Sequence, residues 1–286
     1  MRGTKADQEH VRLIHNTIFV RGCINPDARP KYADGETALS YGYNGEMSTY
    51  DVSQGEFPII TLRPIAYKSA IREIFWIYQD QSNDLNLLRE KYKIKWWDHW
   101  DIGDGTIGTI YGHTVKRYDL MNKLLEGLKN EPYGRRHIMS LWQNDEVDDA
   151  AMKPCAFMTI WNVRNVNGAM YLDLTLVQRS CDLILAWCIN EFQYCALQHI
   201  VAHCLGYRVG IFNHFVQNIH IYLRYLSEAT DLLSRPPIDC HPRLVIDGVK
   251  DFYQLTPDNV VLYDYPLETI KQCNPQFPSL QEDIAI

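Results

Sequence analysis

No stretch of the 286 residues is apolar for longer than seven, Leu183 to Ile189, whereas a helix crossing hydrocarbon needs roughly 20. A helical membrane span is therefore excluded. A basic surplus is missing too: 28 Lys and Arg face 35 Asp and Glu, a net charge of −7. Coating nucleic acid or an anionic membrane by counterion release needs the opposite balance, so any anionic ligand must meet a local cluster of positive charge. The first twenty residues carry Lys5, Asp7, Glu9 and His10 in place of a continuous apolar segment, and the expectation is a cytoplasmic protein. Internal repeats, low-complexity tracts and Gly/Ser linkers are also lacking, which leads to the expectation of one domain over 1–286. Eight cysteines are present, Cys23, Cys155, Cys181, Cys188, Cys195, Cys204, Cys240 and Cys273. A chain this long does not need disulfide staples, so free thiols in a reducing compartment are expected.

What is present is a mixed pattern. Apolar residues recur at helical spacing over Tyr67–Gln79, Tyr118–Lys129, Asn190–Leu205 and about Ile221–Leu233. Runs rich in β-branched and aromatic residues predict strands over His137–Trp142, Phe157–Val163, Tyr171–Val177 and Arg208–Phe215, with Arg164–Gly168 as a hairpin turn. Gly22–Gly55, with Asn25-Pro26, Asp34-Gly35 and Asn44-Gly45, reads as an irregular, turn-rich stretch with short strands. Strands alternating irregularly with long helices predict an α+β (mixed α/β) fold.

Cys155 follows Pro154 at the start of a strand, a place where solvent can reach a thiol. Reactivity there requires a positive neighbour to stabilise thiolate, and Arg135-Arg136 and Arg179 stand at the edges of predicted strands. Taken singly, each has a plain alternative: a small buried hydrophobe for the cysteine, a solvated rim for the arginines. On the helix Asn190–Leu205, Cys195, His199, His203 and Cys204 have spacing that could hold zinc, but their apolar neighbours favour a core face with satisfied histidines. No metal is expected.

Order decides among these readings. Gly134-Arg135-Arg136, Trp142, Pro154-Cys155, Gln178-Arg179-Ser180-Cys181-Asp182, Asn190 and His220-Ile221-Tyr222 occur in that sequence. Upstream stand Phe57-Pro58-Ile59-Ile60-Thr61, Glu73, Trp97-Asp98-His99-Trp100 and Gly105 to Gly112, and the chain ends Asp283-Ile284-Ala285-Ile286. The series resembles the thymidylate synthase family, in a divergent bacterial or phage-like form, over nearly the whole chain.

The resemblance implies a large mixed β-sheet packed with helices, with sheets back to back in a homodimer. It implies reductive methylation of dUMP to dTMP, with 5,10-methylene-tetrahydrofolate as cosubstrate and dihydrofolate released. Cys155 would be the nucleophile that adds to the uracil ring. Arg179 would hold phosphate and favour thiolate, together with Arg29 and Ser180, while Arg135 and Arg136 would come from the other subunit. Asn190 would pair with the uracil edge, since an amide donates and accepts at once. His220 and Tyr222 would meet the deoxyribose, and Glu73 would relay protons. Tyr111 and Trp97 would shape the proton-removal and folate walls, Asp182 would contact the pterin beside the nucleotide, and Ala285 belongs to the closing tail. Ala156, Ala186-Trp187-Cys188-Ile189 and Asn218 depart from the family pattern, and this leaves a dUMP hydroxymethylase as the alternative. Neither membrane nor nucleic acid is an expected partner.

Overall fold

The structure, a computed structural model, describes residues 3–150 and 152–281. Its strands are β1 (Cys23–Asn25), β2 (Ser40–Asp51), β3 (His137–Ser140), β4 (Ala156–Val166), β5 (Ala169–Asp182), β6 (Arg208–Tyr222), β7 (Arg243–Ile246) and β8 (Val260–Tyr263). The helices are α1 (Lys5–His15), α2 (Tyr67–Ile74), α3 (Leu85–Glu90), α4 (Gly112–Arg117), α5 (Leu120–Asn130), α6 (Trp187–Leu205), α7 (Leu226–Ser234) and α8 (Leu267–Cys273). Six strands form one sheet in the order β1-β2-β6-β5-β4-β3, and β7 pairs with β8 apart from it. Within the large sheet β5 and β6 run parallel and the other neighbours antiparallel. A parallel pair needs a crossover, and α6 supplies it. Among the described residues no helix is long and apolar enough to cross a membrane.

Helix α6 is apolar nearly all round, which suits a helix buried on every side. It packs on β5, β6 and α2. Phe192, Leu197 and Ile200 are almost wholly buried, each contributing about 1.5–3 kcal/mol on removal from water. Gly206 ends the helix in the left-handed conformation, φ 72°, with its N–H on the carbonyls of Ala202 and His203. Helix α2 continues into a wider π turn over Phe75–Gln79, so the predicted helix is present but changes its hydrogen-bond step. Phe157–Val163 and Tyr171–Val177 form the hairpin expected of them, within the longer β4 and β5.

Two expectations are corrected. Gly22–Gly55 contains β2, twelve residues long and paired with β6 along most of its length. Its glycines mark close approach and a local kink: a Cβ on Gly42 would lie 3.0 Å from the Ile219 carbonyl oxygen, and Gly45 has φ +75°. Arg208–Phe215 does not end at Phe215 but runs to Tyr222, and a short 3-10 turn at Leu223–Tyr225 precedes α7. Pairing with both β2 and β5 satisfies the backbone of this longer strand, which outweighs the helical spacing from Ile221.

Buried positions in β5 alternate through Leu172, Leu174, Leu176 and Gln178, then jump to Cys181. In β6 they run Phe212, His214 and Val216, then jump to Ile219. The two jumps lie side by side, because Gln178 pairs with Val216 and Cys181 with Ile219. Arg179 and Ser180 fall inside the jump on β5, where the strand turns its side chains away from the regular inward row.

Candidate active site

Cys155 sits one residue before β4, and the β4–β5 register shifts between Ala156 and Met158. The Arg179 N–H donates to the Cys155 carbonyl at 3.0 Å. Its side chain is held by Nε on the Pro154 carbonyl, 3.0 Å, and Nη2 on the Lys153 carbonyl, 2.6 Å. The same Nη2 stands 3.6 Å from Cys155 Sγ. Burial pushes the thiol up and the Arg179 charge pulls it down, with burial the larger of the two. The Arg179 charge therefore favours the thiolate without by itself producing one.

Tyr111 joins this corner to a second one. It precedes α4 in a left-handed backbone conformation, φ 50° and ψ −111°, which a bulky residue adopts only under constraint from its surroundings. Its hydroxyl accepts the Cys155 backbone N–H at 3.2 Å, and its ring lies edge-on to Trp97 with centroids 5.4 Å apart. The indole N–H of Trp97 donates to Glu73 Oε1 at 2.7 Å, and Gln193 Nε2 donates to Oε2 at 2.8 Å. Burial pushes the Glu73 carboxyl up to about 7, against the lowering effect of those donors. A group poised there exchanges protons readily at neutral pH. Trp97 thus holds Glu73, a connection that the sequence reading of it as a folate wall did not contain.

Asn190, in the first turn of α6, accepts from Gln178 Nε2 at 3.2 Å and donates through Nδ2 to Gln193 Oε1 at 3.1 Å. At the end of β5, Asp182 Oδ1 accepts the N–H groups of Ile184 and Leu185, while Oδ2 is buried with no hydrogen-bond partner among the described residues. Burial raises its carboxyl. His220 Nδ1 donates to Asn218 Oδ1 at 3.1 Å, and its ring is 5.1 Å from that of Tyr222. Asn218 therefore still supplies an acceptor to this histidine. Burial lowers the His220 imidazole, with nearby Asp182 opposing it.

Arg29 is exposed in a bend beyond β1, close enough for its charge to act on the Tyr222 hydroxyl. Ser180 follows Arg179 on β5. Arg135 and Arg136 stand exposed just before β3, and Arg136 pairs with Glu131 at 3.1 Å. Ala285 and the rest of the closing tail lie outside the described residues. Cys155, Arg179, Tyr111, Trp97, Glu73 and Asn190 are thus linked through direct contacts, with Gln193 bridging the last two, while Arg135 and Arg136 make no such link in one protomer.

Sequence reasoning missed Gln193, Gln178, Glu191 and His214. A signal existed, since Glu191, Gln193 and Gln198 are polar residues on an otherwise apolar helix and all are buried; a buried polar group must find a partner. The zinc alternative can be followed as well. His199 Nδ1 bonds the Cys195 carbonyl oxygen at 2.8 Å and His203 Nε2 that of Val249 at 3.2 Å. Among the described residues no group of three or more ligand side chains could hold a metal ion.

A thiol beside a guanidinium, linked to a buried carboxyl held up near 7 and to a paired amide, is an arrangement suited to an enzyme using nucleophilic and acid–base chemistry. Comparison with known proteins is consistent with that class. A family model for thymidylate synthase matches residues 12–274. Thymidylate synthase of Streptococcus sanguinis is 46% identical over 274 residues, covering 94% of this chain and 95% of that protein. The Streptococcus pneumoniae enzyme is 46% identical over 288 residues, covering 99% and 100%. Among solved structures, the thermostable thymidylate synthase A from Bacillus subtilis superimposes with a TM-score of 0.86 at 32% identity, covering 98% of this chain and 99% of that one. The chain belongs to the thymidylate synthase family.

Proposed function

We propose that this chain, as one domain, methylates dUMP to dTMP with 5,10-methylene-tetrahydrofolate as one-carbon donor and reductant. Family membership and fold support the activity, and nothing among the reported relatives supports the hydroxymethylase alternative. The observation that carries the residue assignment is the unbroken set of contacts from Arg179 and Cys155 through Tyr111 and Trp97 to Glu73.

Cys155 adds to ring carbon 6 of uracil, which makes carbon 5 nucleophilic. Arg179, with Ser180 and Arg29, binds the phosphate; a phosphate dianion at Arg179 takes the guanidinium N–H groups left free by the Lys153 and Pro154 carbonyls. Asn190 meets the uracil edge, His220 and Tyr222 the deoxyribose, and Glu73 exchanges protons with the ring through water, with Tyr111 beside it. When bound, the folate supplies the carbon and the hydride. Asp182 Oδ2, without a partner among the described residues, is an acceptor suited to a pterin N–H, and Trp97, which holds Glu73, is assigned to the folate wall.

Incubation with dUMP and the methylene folate should yield dTMP and dihydrofolate in a one-to-one ratio, followed by absorbance and nucleotide mass. A hydroxymethyl nucleotide would overturn the reading. We further propose that the protein is a homodimer in which Arg135 and Arg136 complete the phosphate site of the other subunit, in keeping with their exposure and their separation from Cys155. Mixing Cys155→Ser with Arg136→Ala should then restore about a quarter of wild-type activity, because half of randomly assorted dimers carry one intact site. Two inactive, well-folded parents that stay inactive after subunit exchange would exclude the shared site.

A further inference from the structure

A chain of buried side chains runs behind Asn190 and uses groups that the reaction does not. Tyr50 Oη donates to Glu191 Oε2 at 2.8 Å, and Glu191 Oε1 lies 3.1 Å from His214 Nδ1. His214 Nε2 lies 2.5 Å from Gln178 Oε1, and Gln178 Nε2 donates to Asn190 Oδ1. Asn190 Nδ2 then donates to Gln193, which donates to Glu73. Glu191 and His214 are 1% and 0% exposed in their side chains, so no bulk water replaces a missing partner.

The polarity of this chain is set from both ends, at the Glu73 end whenever that carboxyl, pushed up to about 7, is ionised. An ionised Glu73 only accepts, so Gln193 must turn its amide nitrogen toward it, and Asn190 and Gln178 must follow in the same sense. Gln178 Oε1 is then left facing His214 and needs an N–H from Nε2. That N–H is present if Glu191 carries a proton and gives it to neutral Nδ1, and also if an imidazolium donates from Nδ1 to the carboxylate and from Nε2 to Gln178. It is absent only when the pair has lost its shared proton. Burial raises the Glu191 carboxyl well above its ordinary value and lowers the His214 imidazole, and both directions favour the proton on Glu191.

We propose that Glu191 and His214 are a positioning pair that shares one proton and, through Gln178, fixes which way the Asn190 amide points, thereby setting the preference for uracil over cytosine. The inference rests on Asn190 facing the pyrimidine, as proposed above. Held in this sense, Asn190 retains an oxygen lone pair for the uracil ring N–H and a second N–H for the uracil carbonyl. Turned over, the same amide matches cytosine, whose ring nitrogen accepts and whose amino group donates. Arg179 and Cys155 are untouched by the inversion, so binding of the phosphate and reactivity of the thiol remain while the base preference changes.

The test compares dUMP and dCMP binding by calorimetry on the full-length protein. Glu191→Leu and His214→Phe should lower the dUMP to dCMP preference about ten-fold or more, since unmatched polar groups carry most of such discrimination. Glu191→Gln, whose amide can donate to Nδ1 and accept from Tyr50, should stay within about three-fold of wild type. An unchanged preference in folded Glu191→Leu and His214→Phe, or an equal loss for both nucleotides, overturns the inference. Should those variants unfold, nitrogen-15 NMR of His214 in the wild-type protein decides: a protonated Nε2 supports the pair, and a bare Nε2 with a proton on Nδ1 overturns it. A wild-type protein that binds dUMP no better than dCMP would instead remove the underlying reading and the inference together.

Discussion

Cys155→Ser should lower kcat by at least about 10⁴, the scale of loss when a covalent nucleophile is replaced, while dUMP still binds. A serine hydroxyl is far less ionised than a thiol at neutral pH, and one arginine at 3.6 Å already fails to offset the burial of the thiol. The phosphate contacts do not involve the sulfur, so calorimetry should find dUMP affinity within a few-fold of wild type. Single-turnover mixing should detect no dihydrofolate. Retention of near-normal turnover would remove Cys155 from the reaction.

Glu73→Gln should reduce kcat by about 10²–10⁴, the usual worth of a positioned acid or base, and it should also alter how stability depends on pH. The Glu73 carboxyl has a folded value of about 7 against an ordinary 4.5. Below 4.5 both folded and unfolded states hold the proton. Between 4.5 and 7 the unfolded chain releases it and the folded protein keeps it, so stability falls as pH rises through that window and the loss is complete above 7. At about 1.4 kcal/mol per unit, the glutamine variant should gain about 3 kcal/mol relative to wild type between pH 5 and pH 8. Any constant cost of the amide against Gln193 cancels in that difference. Urea melts at the two pH values measure it, and parallel curves would place the proton elsewhere.

The parts legible in the sequence are those where one periodicity is unopposed. The hairpin from Phe157 to Val177 is rich in β-branched and aromatic residues about a short turn, and α6 keeps an apolar face through Phe192, Ala196, Leu197, Ile200 and Cys204. Strand β2 was hidden because Gly42, Asn44 and Gly45 carry the same letters as a turn, and only the neighbouring Ile219 backbone shows that a side chain at Gly42 would be crowded. Strand β6 was cut short because Gln217 and Asn218 interrupt the apolar alternation where the two central strands jump register together. In the candidate site, Cys155, Arg179 and Asn190 stand out because their motifs come in order along the chain. Gln178, Glu191, Gln193 and His214 were not found as partners, because pairing between α6 and the sheet is a three-dimensional relation that spacing along either element does not reveal.

The β4–β5 hairpin has a consequence of a different kind. Cys155 and Arg179 are clamped together at its open end, while the closed end turns through Asn167 and Gly168, both left-handed and exposed. The ten steps from Ala156 to Val166 separate these ends by about 33 Å at the rise of an extended strand. Length added at the turn therefore leaves the nucleophile and its arginine undisturbed. The tip of the hairpin is a place where the chain can vary, or carry a fused label, without the chemistry registering the change.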